Sequence, residues 1–128
     1  MRHPGKTPPL RGPHGEVVSS SIAEIAYHRL SGLEQWVMIR GESVANPPLI
    51  LLHGGPGLSE TGFFRHFSAP LERIFTVVYW DQRGAGKSFD RTIARSSMTV
   101  EQFISDLDEL FDAVCKRLGK TKVASTGL

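Results

Sequence analysis

The chain has 128 residues, enough for one domain with a hydrophobic core but short for an α/β enzyme. Hydrophobic residues make up 40% and charged residues 22% of the chain, and its net charge of +2 gives no sign of a nucleic-acid surface. Cys115 is the only cysteine, which excludes an intramolecular disulfide and a cysteine-rich zinc site. No apolar run has the length of a membrane span or the pattern of a signal peptide, so we expect a cytoplasmic protein without a membrane partner.

The first residues are rich in proline and glycine. Residues 1–15 contain four prolines and three glycines, and only Met1 and Leu10 carry large apolar side chains. This composition favours either a mobile lead-in or a strap across the surface. We therefore predict a flexible lead-in over residues 1–16 and a folded domain over residues 17–128.

Three strands are predicted before the middle of the chain. Ile22–Leu30 and Gln35–Arg40 have strand composition, and Ser31-Gly32 between them favours a tight antiparallel turn. Leu49–Leu52 is a run of four apolar residues bounded by proline and glycine. A run this short and this apolar is typical of a strand that is buried on both faces, as in a parallel sheet.

The strand Leu49–Leu52 ends in a glycine-rich loop, His53-Gly54-Gly55-Pro56-Gly57. Glycine permits positive φ angles and lets another group approach the backbone closely. Open α/β sheets bind their ligands at loops that follow the carboxyl ends of parallel strands. The loop is therefore a candidate ligand site.

A crossover to another buried strand follows this loop. Phe63, Phe64 and Phe67 recur at helical spacing, and Pro70 fits the first residue of a second short turn. Phe75–Trp80 is again a continuous β-branched and aromatic run. Strand, helix and strand in this order predict parallel pairing through a right-handed crossover.

A long amphipathic helix is predicted over Val100–Leu118. Thr99 and Gln102 form a capping box at its start, and Gly119 fits a left-handed cap at its end. Lys122-Val123-Ala124 then begins another strand. The apolar side chains of the helix keep a period of 3.6 residues at Val100, Phe103, Ile104, Leu107, Leu110, Phe111, Val114 and Leu118.

A second loop motif, Trp80-Asp81-Gln82-Arg83-Gly84-Ala85-Gly86-Lys87-Ser88, follows the strand Phe75–Trp80. Together with His53–Gly57 it resembles the paired markers of α/β-hydrolases, especially those of the prolyl aminopeptidase branch. Glu34–Gly41 is also similar to the second strand of bacterial members. The resemblance covers Ile22 to Gly119, and the two motifs occur in the family's order, each after a strand.

The resemblance implies an α/β fold, the N-terminal part of an α/β-hydrolase. In that fold an antiparallel strand pair leads into a parallel sheet with crossover helices. Leu49–Leu52 would lie between Phe75–Trp80 and the strand that begins near Lys122. Since only the start of that last strand is recognisable, we expect Leu49–Leu52 to be left at a sheet edge in the 128-residue chain.

The resemblance also implies site residues. His53, Gly54, Gly55, Pro56 and Gly57 would form the oxyanion hole and substrate-binding loop, with a cis peptide at Gly55–Pro56 and His53 bonded to the turn's own backbone rather than acting as a base.

In the same family pattern, Asp81, Gln82 and Arg83 would lie in a loop beside the site. We expect Asp81 and Arg83 to form a structural ion pair. Gln82 would face either the pocket or the protein interior.

The implied reaction is acyl transfer from a small peptide, amide or ester to a serine, then hydrolysis, without metal or organic cofactor. We expect none of the catalytic triad within the chain, because the Gly-x-Ser-x-Gly elbow would follow residue 128. Ser125 is not expected to replace the nucleophile, since Val123 stands where the elbow needs glycine. The chain as given is therefore predicted to be inactive.

Two alternatives remain open. The chain could be a truncated or degenerate hydrolase product without catalysis of its own. More distantly, Gly86-Lys87-Ser88 resembles the end of a nucleotide-binding P-loop, but Asp81 occupies the position of that motif's first glycine. Oligomeric state and the exact substrate are not indicated by the sequence.

Overall fold

A computed structural model describes residues 3–52, 69–83, 88, 96 and 98–127 of the chain. The predicted helix around Phe63, the loop His53–Gly57 and its Gly55–Pro56 peptide lie outside these residues. The described elements, in chain order, are β1 (Ile22–Leu30), β2 (Leu33–Gly41), β3 (Pro48–Leu52), a short 3-10 helix (Ala69–Arg73), β4 (Thr76–Asp81), α1 (Val100–Leu118) and β5 (Ala124–Gly127).

The first two strands form a tight antiparallel hairpin. The pairing is continuous from Ile22 opposite Gly41 to Leu30 opposite Leu33. Ser31 and Gly32 both have positive φ angles, 49° and 79°. Two consecutive left-handed residues are typical of the turns whose twist matches a two-residue hairpin. The predicted strands and their antiparallel turn are thus confirmed, with β2 longer at both ends than Gln35–Arg40.

All five strands form one mixed sheet in the order β1-β2-β4-β3-β5. β2 is antiparallel to β4, whereas β3 is parallel to both β4 and β5. The predicted position of β3 between the other two parallel strands is confirmed. The expectation that β3 is left at a sheet edge is wrong, because Leu49 to Leu52 pair with Ala124 to Gly127 along the whole of β5.

Each face of the sheet carries its own hydrophobic core. Side chains alternate between the two faces along every strand, so β3 and β4 are buried on both sides, as predicted. One face packs against Leu110 and Val114 of α1, and the strand residues of this core include Val37, Ile39, Ile50, Val78 and Trp80. The opposite face is built from Trp36, Met38, Leu49, Leu51, Val77 and Tyr79.

Both ends of α1 are capped by the predicted residues. The Thr99 Oγ1 atom accepts a hydrogen bond from the Gln102 backbone N–H at 3.1 Å. Gly119 adopts a left-handed conformation with φ of 65°, and its N–H donates to the Cys115 carbonyl. The Gln102 side-chain NH2 group donates to Asp106 Oδ1 at 3.0 Å, one turn farther along the helix.

The predicted apolar stripe of α1 is confirmed in part, because Leu110 and Val114 are buried and Phe103, Leu107 and Leu118 pack against the same core. Val100 and Ile104 are 70% and 51% exposed, although both fit the 3.6-residue period. The fully buried positions are Asp106, Leu110 and Val114. The helix is therefore turned so that a carboxylate faces the sheet. Within the described ranges, no helix combines the length and apolarity needed to cross a membrane.

Residues near the amino terminus lie against β2. The Trp36 indole N–H donates to the Pro4 carbonyl at 2.8 Å, and the Arg40 guanidinium donates to Thr7 Oγ1 at 2.6 Å and also to the Pro8 carbonyl. These are the contacts of a surface strap. The domain division at residue 16 stays a prediction.

Candidate active site

The two loop motifs leave the same edge of the sheet. β3 and β4 are parallel neighbours, with Leu51 opposite Tyr79. Their carboxyl ends therefore lie side by side, and the loops that follow Leu52 and Asp81 start next to each other. Residues 53–57 lie outside the described part of the chain, so the predicted oxyanion-hole geometry is not tested by it.

The second loop begins with buried polar residues. Asp81 is the last residue of β4 and pairs with Trp36 of β2, and both Asp81 and Gln82 are buried. Burial of these two consecutive polar residues implies that their side chains are hydrogen-bonded, since polar side chains are stable inside a protein only with such partners.

Ser88 closes this loop back onto the sheet. Its side chain is fully buried, its hydroxyl donates to the Asp81 carbonyl, and the same oxygen accepts from the Trp36 backbone N–H at 2.7 Å. Because Trp36 faces Asp81 in the register of β2 and β4, the hydroxyl bridges the two strands. The end of the motif is thereby held at the end of β4.

Arg83 is held by the helix. Its Nε and Nη2 atoms donate to the two carboxylate oxygens of Asp106 at 3.0 and 3.2 Å. The Asp106 side chain is 1% exposed and that of Arg83 11% exposed. The predicted pairing of Asp81 with Arg83 is not among the ion pairs of the described residues. Asp106 presents a carboxylate in the planar, two-point geometry that a guanidinium prefers.

Two further donors complete the surroundings of Asp106. Gln35 Nε2 donates to Oδ2 at 2.9 Å, and Gln102 Nε2 donates to Oδ1 at 3.0 Å. The Gln35 side-chain oxygen in turn accepts from the Trp80 indole N–H at 3.0 Å. One buried hydrogen-bond network thus joins β2, β4, α1 and the loop after β4, and we call these five residues the Asp106 network.

Asp106 and Gln35 were not among the predicted site residues. The available signal was the position of Asp106 on α1, one turn after Gln102 and one turn before the buried Leu110. A carboxylate within a buried helix stripe needs a charged or hydrogen-bonding partner from another element. Its partner Arg83 lies in the second loop motif, Trp80–Ser88.

Ser125 lies away from the loop edge. It is the second residue of β5 and pairs with Ile50, whereas the glycine-rich loop starts three residues farther along β3. At about 3.3 Å per residue this separation is roughly 10 Å, so its position agrees with the prediction that Ser125 lies near the beginning of its strand. Among the described residues, no three His, Cys, Asp or Glu side chains are grouped as a metal site requires.

The sequence of this chain is similar to those of proteins named as peptidases. The chain is 40% identical over 107 residues to a probable aminopeptidase, YbaC, of Bacillus subtilis (strain 168), covering 84% of this chain and 34% of that protein. It is 35% identical over 72 residues to a probable proline iminopeptidase of Leptolyngbya boryana, covering 54% of this chain and 22% of that protein.

The structure of this chain superposes on solved structures of hydrolases and related proteins. A proline iminopeptidase-related protein from Thermus thermophilus superposes with a TM-score of 0.69 and 30% identity over 83% of this chain and 36% of that one. Epoxide hydrolase A from Mycobacterium thermoresistibile superposes with a TM-score of 0.64 and 25% identity over 83% of this chain and 31% of that one. The chain spans about a third of the length of the relatives that cover most of it.

The family match covers well over half of the sequence. Residues 47–127 match the family described as alpha/beta hydrolase fold, and the mixed sheet with its parallel centre and flanking helix has the matching architecture. On both grounds the chain belongs to the α/β-hydrolase family.

Proposed function

We propose that this chain forms the N-terminal part of a serine-type hydrolase of the prolyl aminopeptidase kind, which cleaves a peptide, amide or ester bond by acyl transfer. The observation that carries the proposal is the 40% identity over 84% of the chain to a relative named as an aminopeptidase. The proline iminopeptidase names of further relatives support the same substrate class.

Within this proposal, the loop His53–Gly57 supplies the oxyanion hole. Its backbone N–H groups, that of Gly55 in particular, donate to the negative charge that develops on the substrate oxygen. One such donor is worth about 2.7–4 kcal/mol of transition-state stabilisation. The position of the loop at the carboxyl end of β3, the middle one of the three parallel strands, supports this role.

The loop that contains Asp81, Gln82 and Arg83 acts as the wall beside the hole. The Arg83 guanidinium is occupied by Asp106, and Ser88 holds the far end of the loop at β4. These contacts support a positioning role for Arg83 rather than contact with the substrate. Rigid neighbours of this kind keep a catalytic loop in its productive geometry.

The P-loop alternative is disfavoured by Ser88. In a P-loop the final serine or threonine hydroxyl binds the Mg²⁺ of the nucleotide. Here the Ser88 hydroxyl is fully buried between the Trp36 N–H and the Asp81 carbonyl. A degenerate product without catalysis remains the main alternative, and in either case we expect the 128 residues alone to give no turnover.

Epoxide hydrolysis is a second candidate reaction. The observation that favours it is the superposition of epoxide hydrolases at TM-scores near 0.64 over four fifths of this chain. The same protein preparation can be assayed for both reactions, so the two candidates are separable by substrate.

The test is a chimera in which this chain replaces the matching N-terminal third of the Bacillus subtilis relative. The chimera is assayed with the p-nitroanilides of proline, alanine and leucine, with short-chain p-nitrophenyl esters and with styrene oxide. We expect hydrolysis of at least one anilide. We also expect Gly55→Ala to lower kcat by roughly 10²–10³-fold, because its methyl group would occupy the space of the substrate oxygen.

The control is Gly15→Ala in the N-terminal segment, where the added methyl group meets no neighbour within 4 Å and the strain at the positive φ of 82° falls on a turn outside the candidate site. It should leave kcat unchanged. A chimera that folds, as judged by circular dichroism, and hydrolyses neither anilides nor esters contradicts the proposal. Turnover of styrene oxide alone would favour epoxide hydrolysis.

A further inference from the structure

Among the described strands, β1 forms one end of the sheet and is long and regular. It has nine residues, contains no proline, and pairs with β2 in an unbroken register. The outer side of such an edge strand presents backbone N–H and C=O groups that can template another strand. The sheet order places this edge away from the loops of the candidate site, which follow β3 and β4.

The side chains of β1 are complementary to β1 itself in antiparallel orientation. A two-fold axis between antiparallel strands passes between identical residues of the two copies. With the axis at Ala26, Glu24 faces His28 of the second copy, and Ile25 faces Tyr27. The acid–base pair then occurs twice in the dimer, and the small Ala26 lies on the axis.

Neighbouring registers lose this complementarity. An axis at Ile25 would place Glu24 opposite Ala26, and an axis at Tyr27 would place Glu24 opposite Leu30. A cross-strand hydrogen-bond donor opposite a carboxylate stabilises a sheet, whereas a carboxylate opposite an apolar residue has no such partner. The Glu24–His28 pair, in which the imidazole N–H donates to the carboxylate, therefore selects the register centred on Ala26.

The structure holds Glu24 at this edge. The Arg117 side chain at the end of α1 donates to both carboxylate oxygens of Glu24, with Nε to Oε2 at 3.2 Å. The Glu24 side chain remains 31% exposed. Each carboxylate oxygen has a second lone pair, so Glu24 can accept from His28 of another copy without losing Arg117.

We propose that two copies of this chain associate through antiparallel pairing of β1 with a two-fold axis at Ala26, which joins two five-stranded sheets into one. The interface is isologous, with backbone hydrogen bonds along the strand and two Glu24–His28 pairs. It is independent of the proposed hydrolase activity, because it uses the opposite end of the sheet from β5.

The test combines a mass measurement with cysteine cross-linking. Light scattering over a dilution series should show the mass rising from 14.1 kDa toward twice that value. In a Cys115→Ala background, Ala26→Cys places two thiols opposite each other, at Cα separations of about 4.5–5.5 Å that suit a disulfide. Mild oxidation should therefore convert Ala26→Cys to a covalent dimer.

Ala23→Cys is the matched control. In the proposed register Ala23 faces Arg29 of the second copy, so its two thiols would be about 20 Å apart along the strand. It should stay monomeric on a non-reducing gel. A wild-type mass that stays at 14.1 kDa throughout, or equally fast cross-linking of both variants, overturns the proposal.

A charge reversal tests the register without a disulfide. His28→Glu places a carboxylate opposite Glu24 in both halves of the dimer. We expect the dimer dissociation constant to rise about tenfold, because two favourable pairs become two repulsive ones. An unchanged dissociation constant in this variant, with wild-type circular dichroism, also contradicts the Ala26 register.

Discussion

Removal of the Asp106 carboxylate is expected to destabilise the fold strongly. In Asp106→Ala the guanidinium of Arg83, only 11% exposed, would lose both of its carboxylate hydrogen bonds. The amides of Gln35 and Gln102 would lose the same acceptor. Breaking a buried ion pair by removing one partner costs about 3–5 kcal/mol, which is a large part of the roughly 5–15 kcal/mol by which domains are stable.

The measurement is urea unfolding followed by circular dichroism. Asp108→Ala is the matched control, because it removes an exposed carboxylate from the same helix two residues away and should change stability by less than about 0.5 kcal/mol. The double variant Asp106→Leu/Arg83→Met should cost much less than Asp106→Ala, since it leaves no buried charge unpaired. Unfolding of Asp106→Ala at the same urea concentration as Asp108→Ala would refute the stabilising role of the Asp106 carboxylate.

Three further outcomes are expected. Burial lowers the pKa of His28, with Glu24 opposing the shift, so folding favours the neutral imidazole, and the free energy of unfolding should fall as the pH drops below 6.5, the ordinary pKa of histidine. The free energy of unfolding in urea should therefore decrease less between pH 7.5 and pH 5.5 for His28→Gln than for wild type. Equal decreases would contradict this expectation. Ser88→Ala should cost about 1–3 kcal/mol and speed hydrogen exchange at the Trp36 amide, which loses its acceptor; unchanged exchange would refute the bridging role. A fluorophosphonate should not label the 128-residue chain, and stoichiometric labelling that Ser125→Ala abolishes would reverse our interpretation of β5.

Elements fixed by local chemistry were predictable from the sequence. The limits of α1 follow from Thr99 and Gly119, whose capping contacts involve only nearby backbone groups. The β1–β2 hairpin follows from Ser31-Gly32, because two residues with positive φ angles are enough to determine its register. The buried character of β3 and β4 follows from their uninterrupted apolar runs.

Contacts between distant segments were not predictable in the same way. Arg83 could pair with any acid that the fold brings near, and Asp81, two residues away, was the nearest in sequence. The fold instead supplies Asp106 on the buried face of α1 and leaves Val100 and Ile104 exposed. Periodicity gives the width of an apolar stripe, but the choice of its centre depends on which neighbour the helix packs against.

The pairing of β3 with both β4 and β5 has a consequence for the order of folding. The β1–β2 hairpin closes over two residues and can form as soon as Gly41 has left the ribosome. β3 obtains its second neighbour only when Ala124 is available, because Ala124 pairs with Leu49 and lies after α1 in the sequence. Such long-range pairing is slow, because the intervening loop must lose its entropy first. During synthesis β3 therefore lacks its second neighbour, and the backbone N–H and C=O groups on that side stay without their β5 partners until Ala124 to Gly127 have emerged.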